Sequence, residues 1–286
     1  MEVITAKSAG FCFGVKRAVE TVYEEVEKGG PIYTYGPIIH NESVIQDLEN
    51  RGVRIIHSVE DLAGIKEGTV ILRSHGVSRQ EEEAIRATGL KVVDTTCPFV
   101  KRIHNTVAKE SALGRQIVII GAADHPEVEG IRGWSETPAI VLATEEEAKS
   151  FSCESGKEIC VVSQTTFNAI KFEKLVAILK QNSYTIICVN TICNATHERQ
   201  TEAQDIAARA DIMIVIGGKT SSNSAKLYEI CRERCPKTFF IQTRDDLDLE
   251  LDGTEKVIGI TAGASTPKRI IEEVQSKCQN KLLNKC

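Results

Sequence analysis

Asp94-Thr95-Thr96-Cys97-Pro98 follows Leu90, Val92 and Val93, a short apolar run that reads as a buried strand, and opens a stretch with helical periodicity. Thr95 and Thr96 are favourable helix N-caps, and Pro98 suits the first helical position. Cys97 is therefore expected where a strand ends and a helix begins. The same setting recurs at Cys12, in Gly10-Phe11-Cys12-Phe13-Gly14 after Glu2–Thr5, and at Cys193, after Tyr184–Val189. One such cysteine stands near the start of each third of the chain.

Outward from these points, short β-branched runs alternate with amphipathic stretches, the pattern of repeated βα units and a mostly parallel sheet. In the first third, Ile32–Tyr35 leads to His40-Asn41, and Val70–Leu72 leads to Ser74-His75-Gly76 and a Ser78/Glu81 capping box. In the second, Ile117–Ile120 leads to Asp124-His125-Pro126-Glu127, Ile140–Leu142 is a shorter strand, and Ile159–Val162 leads to Gln164-Thr165-Thr166. In the third, Ile212–Ile216 leads to Ser221-Ser222-Asn223 and Val257–Ile260 to Gly263-Ala264-Ser265. The expected fold is α/β, built of three similar small domains at residues 1–96, 97–192 and 193–286. Ligands of open parallel sheets bind outside the carboxyl ends of strands, so three sheets directing those ends to one point would enclose a polar, cysteine-lined cavity.

The 286 residues, 42% of them hydrophobic, can build a sizeable core. A net charge of −5 with scattered Lys and Arg gives no general attraction to nucleic acid or to an anionic membrane. The N-terminus lacks a basic segment followed by an apolar run, and no apolar run approaches the ~18 residues of a membrane span, so a cytoplasmic protein is expected. Ten cysteines in that compartment are buried residues, catalysts or metal ligands rather than disulfides. No CxxC or CxxH pair occurs, so a metal site must be assembled from distant segments.

Any one of Cys12, Cys97 and Cys193 alone reads as a small buried residue. Their shared place at helix N-termini, which lowers a thiol pKa, argues for thiolates. Three thiolates suit either a zinc site completed by a His or an iron–sulfur cluster with one iron not held by cysteine. Cys153, Cys160, Cys188, Cys231, Cys235, Cys278 and Cys286 read as buried residues. His40, His75 and His125, all just after strands, suggest a shared anionic ligand. The Ser221-Ser222-Asn223 and Ser265 loops offer free N–H groups and hydroxyls to a phosphate, although neither is a P-loop. His57, His104 and His197 read as surface residues. Glu127 reads either as a helix-start carboxylate or as a desolvated proton donor of raised pKa, and Thr165 and Thr166 as caps or as a hydroxyl relay for that proton.

Gly-Phe-Cys12-Phe-Gly-Val-Lys-Arg-Ala, Ile-His40-Asn, Ser-His75-Gly-Val, Asp-Thr-Thr-Cys97-Pro, His125-Pro-Glu127-Val-Glu-Gly, Ser-Gln-Thr165-Thr166, Asn-Thr-Ile-Cys193, Ser221-Ser222-Asn223-Ser and Thr-Ala-Gly-Ala-Ser265 occur in the order found in the LytB/IspH family of 4-hydroxy-3-methylbut-2-enyl diphosphate reductases, which the chain resembles over essentially its whole length. The resemblance implies a pseudo-threefold trefoil of α/β domains around one 4Fe-4S cluster held by Cys12, Cys97 and Cys193, with the fourth iron open to the substrate hydroxyl. It further implies that His40, His75, His125, Ser221, Ser222, Asn223 and Ser265 hold the allylic diphosphate, that Glu127 delivers protons, and that Thr165 and Thr166 lie near the substrate. A ferredoxin or flavodoxin as electron donor, and a monomer, are implied likewise. Ala122 stands where many relatives carry a second His, and the RNA-binding-type extension that some relatives carry after this region is not expected. A zinc-stabilised, non-catalytic module for a phosphorylated metabolite is the alternative that the residues alone leave open.

Overall fold

The computed structural model describes residues 2–154, 156–182, 184–251 and 253–283. Two compact units are formed, one of Met1–Lys16, His40–Gln46 and Asn194–Cys286, the other of Arg17–Ile39 and Asp47–Cys193. No helix among the described residues is long and apolar enough to cross a membrane.

The second unit holds two sheets. The chain enters it within helix α1 (Phe13–Lys28) and forms β2 (Ile32–Tyr35); α2 (Glu42–Asn50) starts in the other unit and returns to this one at Asp47, and β3 (Arg54–Ile56), β4 (Thr69–Leu72), α3 (Arg79–Ala87) and β5 (Lys91–Asp94) follow. These strands make a parallel sheet in the order β3-β2-β4-β5. The strand before Cys97 thus belongs to this sheet. Next come α4 (Pro98–Ala112), β6 (Gln116–Ile120), α5 (Pro126–Arg132), β7 (Ile140–Leu142), α6 (Glu145–Ser150), β8 (Ile159–Ser163), α7 (Ala169–Gln181) and β9 (Ile186–Cys188). Their order, β7-β6-β8-β9, repeats the first. The central strands are buried on both faces, which is why Ile117–Ile120 and Ile159–Val162 are continuous apolar runs without alternation.

The other unit contains α8 (Asn194–Ala207), β10 (Ile212–Ile216), α9 (Ser222–Arg234), β11 (Thr238–Ile241), β12 (Val257–Ala262) and α10 (Lys268–Leu283). Its sheet would have three strands but for β1 (Glu2–Thr5). That strand, the first of the chain and expected to lead the first α/β segment, pairs in parallel with β12, Val3 opposite Ile258 and Thr5 opposite Ile260, and gives the order β11-β10-β12-β1. Val3 packs with Ile258, Ile260 and Ile271 in one core layer, and Ile4 and Ala6 with Met213 and Val215 in the other. Both faces of β1 are therefore used by this sheet, which fixes its place.

All three sheets are parallel with the same strand order, and each ends on an edge strand followed by one of the three cysteines. In each, the chain moves outward from one central strand and back over to the other. Each sheet therefore has a topological switch point between its two central strands, where a crevice opens at their carboxyl ends.

Ile4→Pro removes a ladder donor from β1. The expected outcome, read by native-state hydrogen exchange, is lost protection at Ile258–Ala262 with the β2 and β4 amides unchanged; loss in β2 and β4 instead would contradict the pairing.

Candidate active site

The turns after the central strands carry the polar residues, and the turns after the edge strands carry the cysteines. In the first sheet β4 leads to Ser74-His75-Gly76 and β5 to Cys97. The Cys97 amide donates to Ser74 O at 3.0 Å, and Thr95 Oγ1 donates to Leu72 O at 2.6 Å. Cys97 itself, rather than either threonine, is the N-cap of α4, with Pro98 in the first turn and no hydrogen bond from the helix amides to the thiol. The threonines are buried and bond elsewhere because the turn is pinned to the β4 end. Ser78 and Glu81 form the expected capping box of α3.

In the second sheet β8 leads to Gln164-Thr165-Thr166 and β9 to Cys193, whose amide donates to Thr165 O at 3.1 Å. β6 leads to His125, the N-cap of α5, whose Nδ1 accepts the Glu127 amide at 3.1 Å. That bond selects the tautomer with its proton on Nε2, the nitrogen suited to donate to a phosphate oxygen. The His125 ring lies edge-on to His75, with centroids 5.7 Å apart. Glu127 is only 3% exposed. Both its carboxylate oxygens accept from Thr165, Oε1 from the backbone N–H at 2.6 Å and Oε2 from the hydroxyl at 2.7 Å. Gln164 fixes this corner, accepting from Ala122 N at 3.2 Å and donating to Thr166 Oγ1 at 2.9 Å.

In the third sheet β12 leads to Gly263-Ala264-Ser265 and β1 to Cys12, whose amide donates to Ala264 O at 3.2 Å. The approach to Cys12 is held from α8: Glu202 accepts from Lys7 N and Ser8 N, both at 2.8 Å, and the buried Arg199 donates to Ser8 O at 2.5 Å and Gly10 O at 2.8 Å. The buried Ser221 caps α9 by accepting from Ser224 N at 3.3 Å. Ser222 is half-buried and accepts from Lys226 Nζ at 2.9 Å. Ser265 Oγ donates to His40 O at 2.9 Å, joining the turn after β2 to this group. Gly217 and Gly263 flank Ser224, whose hydroxyl would lie 2.1 and 2.0 Å from a Cβ at either position, so both must be glycine. Asn223 is 6% exposed, and neither its amide oxygen nor its amide nitrogen has a hydrogen-bond partner. A buried polar group left unpaired costs about 1–3 kcal/mol, so a ligand there is favoured by satisfying it.

The nine described cysteines are thiols, and burial sorts them. Cys160 and Cys278 are pushed up to about 11 and Cys231 to about 12 by desolvation, and Cys235 is raised by the same cause, which holds all four protonated and unsuited to a metal. Cys188, expected in a core, is exposed because β9 is an edge strand. Cys153 is half-buried, and Cys286 lies outside the described residues. Cys12, Cys97 and Cys193 are half-buried at helix starts, soft donors that suit iron and sulfide rather than a hard cation. Cys12 belongs to the first unit and the other two to the second. Among the described residues, no three His, Cys, Asp or Glu side chains already form a metal-binding group.

His57 and His197 are exposed as expected, but His104 is not a surface residue. It is 4% exposed, stacks on Trp134 at 5.0 Å between centroids, and leaves no room at Gly76, where a Cβ would fall 2.6 Å from its ring. Trp134 Nε1 in turn donates to Val77 O at 2.9 Å. The pair thus buttresses the turn that carries His75. The i, i+3, i+4 pattern of Val100, Ile103 and Val107 gives the signal, since it places position 104 on the buried face of α4.

The LytB protein family model matches residues 3–279. The chain belongs to the LytB family. It is 43% identical over 282 residues to the 4-hydroxy-3-methylbut-2-enyl diphosphate reductase of Caldanaerobacter subterraneus subsp. tengcongensis, covering 98% of this chain and 97% of that one. A Geobacter sulfurreducens protein of the same name is 47% identical over 283 residues, with 98% and 97% covered. Among solved structures, the E-1-hydroxy-2-methyl-but-2-enyl-4-diphosphate reductase of Plasmodium falciparum superposes with a TM-score of 0.90 at 30% identity, over 98% of this chain and 87% of the other.

Desolvation holds His104 down to about 4 against an ordinary 6.5. Because its folded pKa is depressed, the unfolded chain binds the extra proton between those values, and stability falls as pH drops through that window. Unfolding in urea at pH 7 and at pH 4 should show His104→Phe, which keeps the stack, losing about 3 kcal/mol less than the unsubstituted chain. Equal losses would contradict a buried, neutral His104.

Proposed function

We propose that the chain is an iron–sulfur reductase that removes the hydroxyl of 4-hydroxy-3-methylbut-2-enyl diphosphate, consuming two electrons and two protons to give isopentenyl diphosphate or dimethylallyl diphosphate and water, the last step of the non-mevalonate isoprenoid pathway. The observation that carries the reading is the buried Glu127–Thr165 pair, bonded through Thr165 O to the Cys193 turn, in a member of the LytB family.

The diphosphate is the remote handle. His75 and His125 supply ring donors, while Ser221, Ser222, Asn223, Ser265 and His40 supply hydroxyl, amide and imidazole groups at the N-terminus of α9 and beside it. Binding energy collected there orients the allylic hydroxyl. Hydroxide is a poor leaving group, so its oxygen must be protonated as the C–O bond breaks. When bound, a 4Fe-4S cluster on Cys12, Cys97 and Cys193 supplies single electrons and, at the iron that no cysteine holds, Lewis acidity toward that oxygen.

Glu127 holds the proton. In the ionised state its Oε2 accepts from the Thr165 hydroxyl. Protonated at that oxygen, it reverses the bond: the carboxyl donates, Thr165 Oγ1 accepts, and the threonine hydrogen turns toward the substrate hydroxyl. Two hydroxyl-length steps thus carry the proton without water, and Thr166, held by Gln164, lines the same turn. Thr165 is both the relay and the contact to the substrate hydroxyl.

Glu127→Gln preserves volume and removes the transferable proton. Turnover of the allylic diphosphate should fall about 10²-fold or more with iron content and substrate affinity unchanged. Full turnover would remove Glu127 from this role. Zinc in place of iron in anaerobically purified protein, with no turnover under a strong reductant, would overturn the reductase reading.

A further inference from the structure

His75 and His125, whose rings meet edge-on with centroids 5.7 Å apart, come from different sheets, His75 from the turn after β4 and His125 from the start of α5. Among the described residues those two sheets share no strand pairing, so the separation of the rings is not inherited from a hydrogen-bonded ladder. It is set where α5 packs on the chain that follows His75, and that seam is close. Gly130 of α5 faces the backbone of Gly76 and Val77, where a Cβ would lie 3.5 Å from three of their atoms. At Gly133, which caps α5, a Cβ would fall 2.2 Å from Ser78 Cβ and 2.9 Å from its Cα. Gly133 has a φ of −70°, open to any residue, so glycine is needed there for space rather than for backbone freedom.

Trp134, the next residue, closes the seam. Its Nε1 donates to Val77 O at 2.9 Å, and its ring stacks on His104 of α4 with an interplanar angle of 15°. The Arg79 guanidinium of α3 lies 5.2 Å from the same ring and is itself held by Glu136 at 2.9 Å, two residues beyond the tryptophan. Since α3 joins β4 to β5 and α4 leaves β5, two helices of the first sheet grip one side chain delivered by the second. Val128 and Ile131 of α5 share a buried cluster with Ile103 and Val107 of α4, which holds α5 against the same helix. Arg73 Nε donates to Gly76 O at 3.2 Å and steadies the turn from within its own sheet. An indole N–H placed on a backbone carbonyl adds direction to the apolar contact of its ring.

Resting on the reductase reading, we propose that Trp134 and Gly133 are positioning residues that set the His75–His125 separation, and with it the grip of the two imidazoles on the diphosphate end of the substrate. They act through the backbone of residues 76–78 rather than on the substrate. Loosening the seam frees the His75 turn, while His125 and Glu127 stay on the first turn of α5, where Thr165 holds Glu127 independently. Two donors kept at a fixed spacing bind a diphosphate more tightly than the same donors on independent turns, because their ordering is complete before the ligand arrives.

Three variants test this. Trp134→Phe keeps a ring against His104 and removes the donor to Val77 O; Gly133→Ala adds a methyl group for which the seam has no room; Gly130→Ala adds one that meets the turn at ordinary van der Waals distance. Each full-length, iron-loaded protein is assayed with the allylic diphosphate and reduced methyl viologen, and its Kd for inorganic diphosphate is measured by calorimetry. In Trp134→Phe and Gly133→Ala the substrate KM and the Kd for inorganic diphosphate should both rise about tenfold, with kcat changing less than about twofold and iron content unchanged. Gly130→Ala should match the unsubstituted chain. Unchanged KM and Kd in the first two variants, a fall in kcat without a rise in KM, or an equal rise in Gly130→Ala would overturn the proposal. An unsubstituted chain that binds inorganic diphosphate but shows no turnover would overturn the reductase reading alone, since the Kd ratios still decide the role of the seam.

Discussion

Three backbone hydrogen bonds tie the parts together: Cys97 N–H to Ser74 O, Cys193 N–H to Thr165 O, and Cys12 N–H to Ala264 O. Each joins the turn after an edge strand to the turn after the neighbouring central strand, and each acceptor is, or adjoins, a residue proposed to meet the substrate: His75, Thr165 and Ser265. The first amides of a helix have no partner within it. Here one amide at each cysteine is satisfied by the adjacent turn, which fixes the thiol relative to a polar side chain. The spacing between each cysteine and that polar side chain is then a property of the parallel sheet.

The same logic explains the crowding around the polar turns. Ser224 fills the space that side chains at 217 and 263 would need, and His104 fills the space beside Gly76. These turns cannot widen without expelling a buried group, so they hold their side chains on a stiff frame. Asn223 shows the cost of such a frame, with two buried polar atoms left without a hydrogen bond. Glu127 shows the opposite case. Its two oxygens accept from the backbone N–H and the hydroxyl of Thr165.

The sequence made the strand-to-helix turns readable because their chemistry is local. A β-branched run, a polar or glycine turn and an amphipathic stretch can be seen within about twenty residues, and Cys12, Cys97, Cys193, His125 and Ser221 all stand at such points. The partner of β1 was not readable, because parallel pairing joins segments far apart in sequence, and β1 reaches β12 across more than two hundred residues. The short edge strands β3 and β11 carry no such local signal. Arg54–Ile56 is half solvated, and Thr238–Ile241 is only partly buried, so neither shows a period long enough to recognise. His104 lies outside any strand-end turn and so carries no signal from topology, while the helical spacing of Val100, Ile103 and Val107 places it inside.

The central proposal is that three cysteines, one from each sheet's edge turn, hold an iron–sulfur cluster whose remaining iron would meet the substrate. Mössbauer spectroscopy of anaerobic, iron-loaded protein with and without the allylic diphosphate tests it most directly. The account predicts a cluster with one iron distinct from the rest, whose parameters alone shift when the substrate is added. Irons that are all equivalent, or a spectrum that the substrate leaves unchanged, would contradict it.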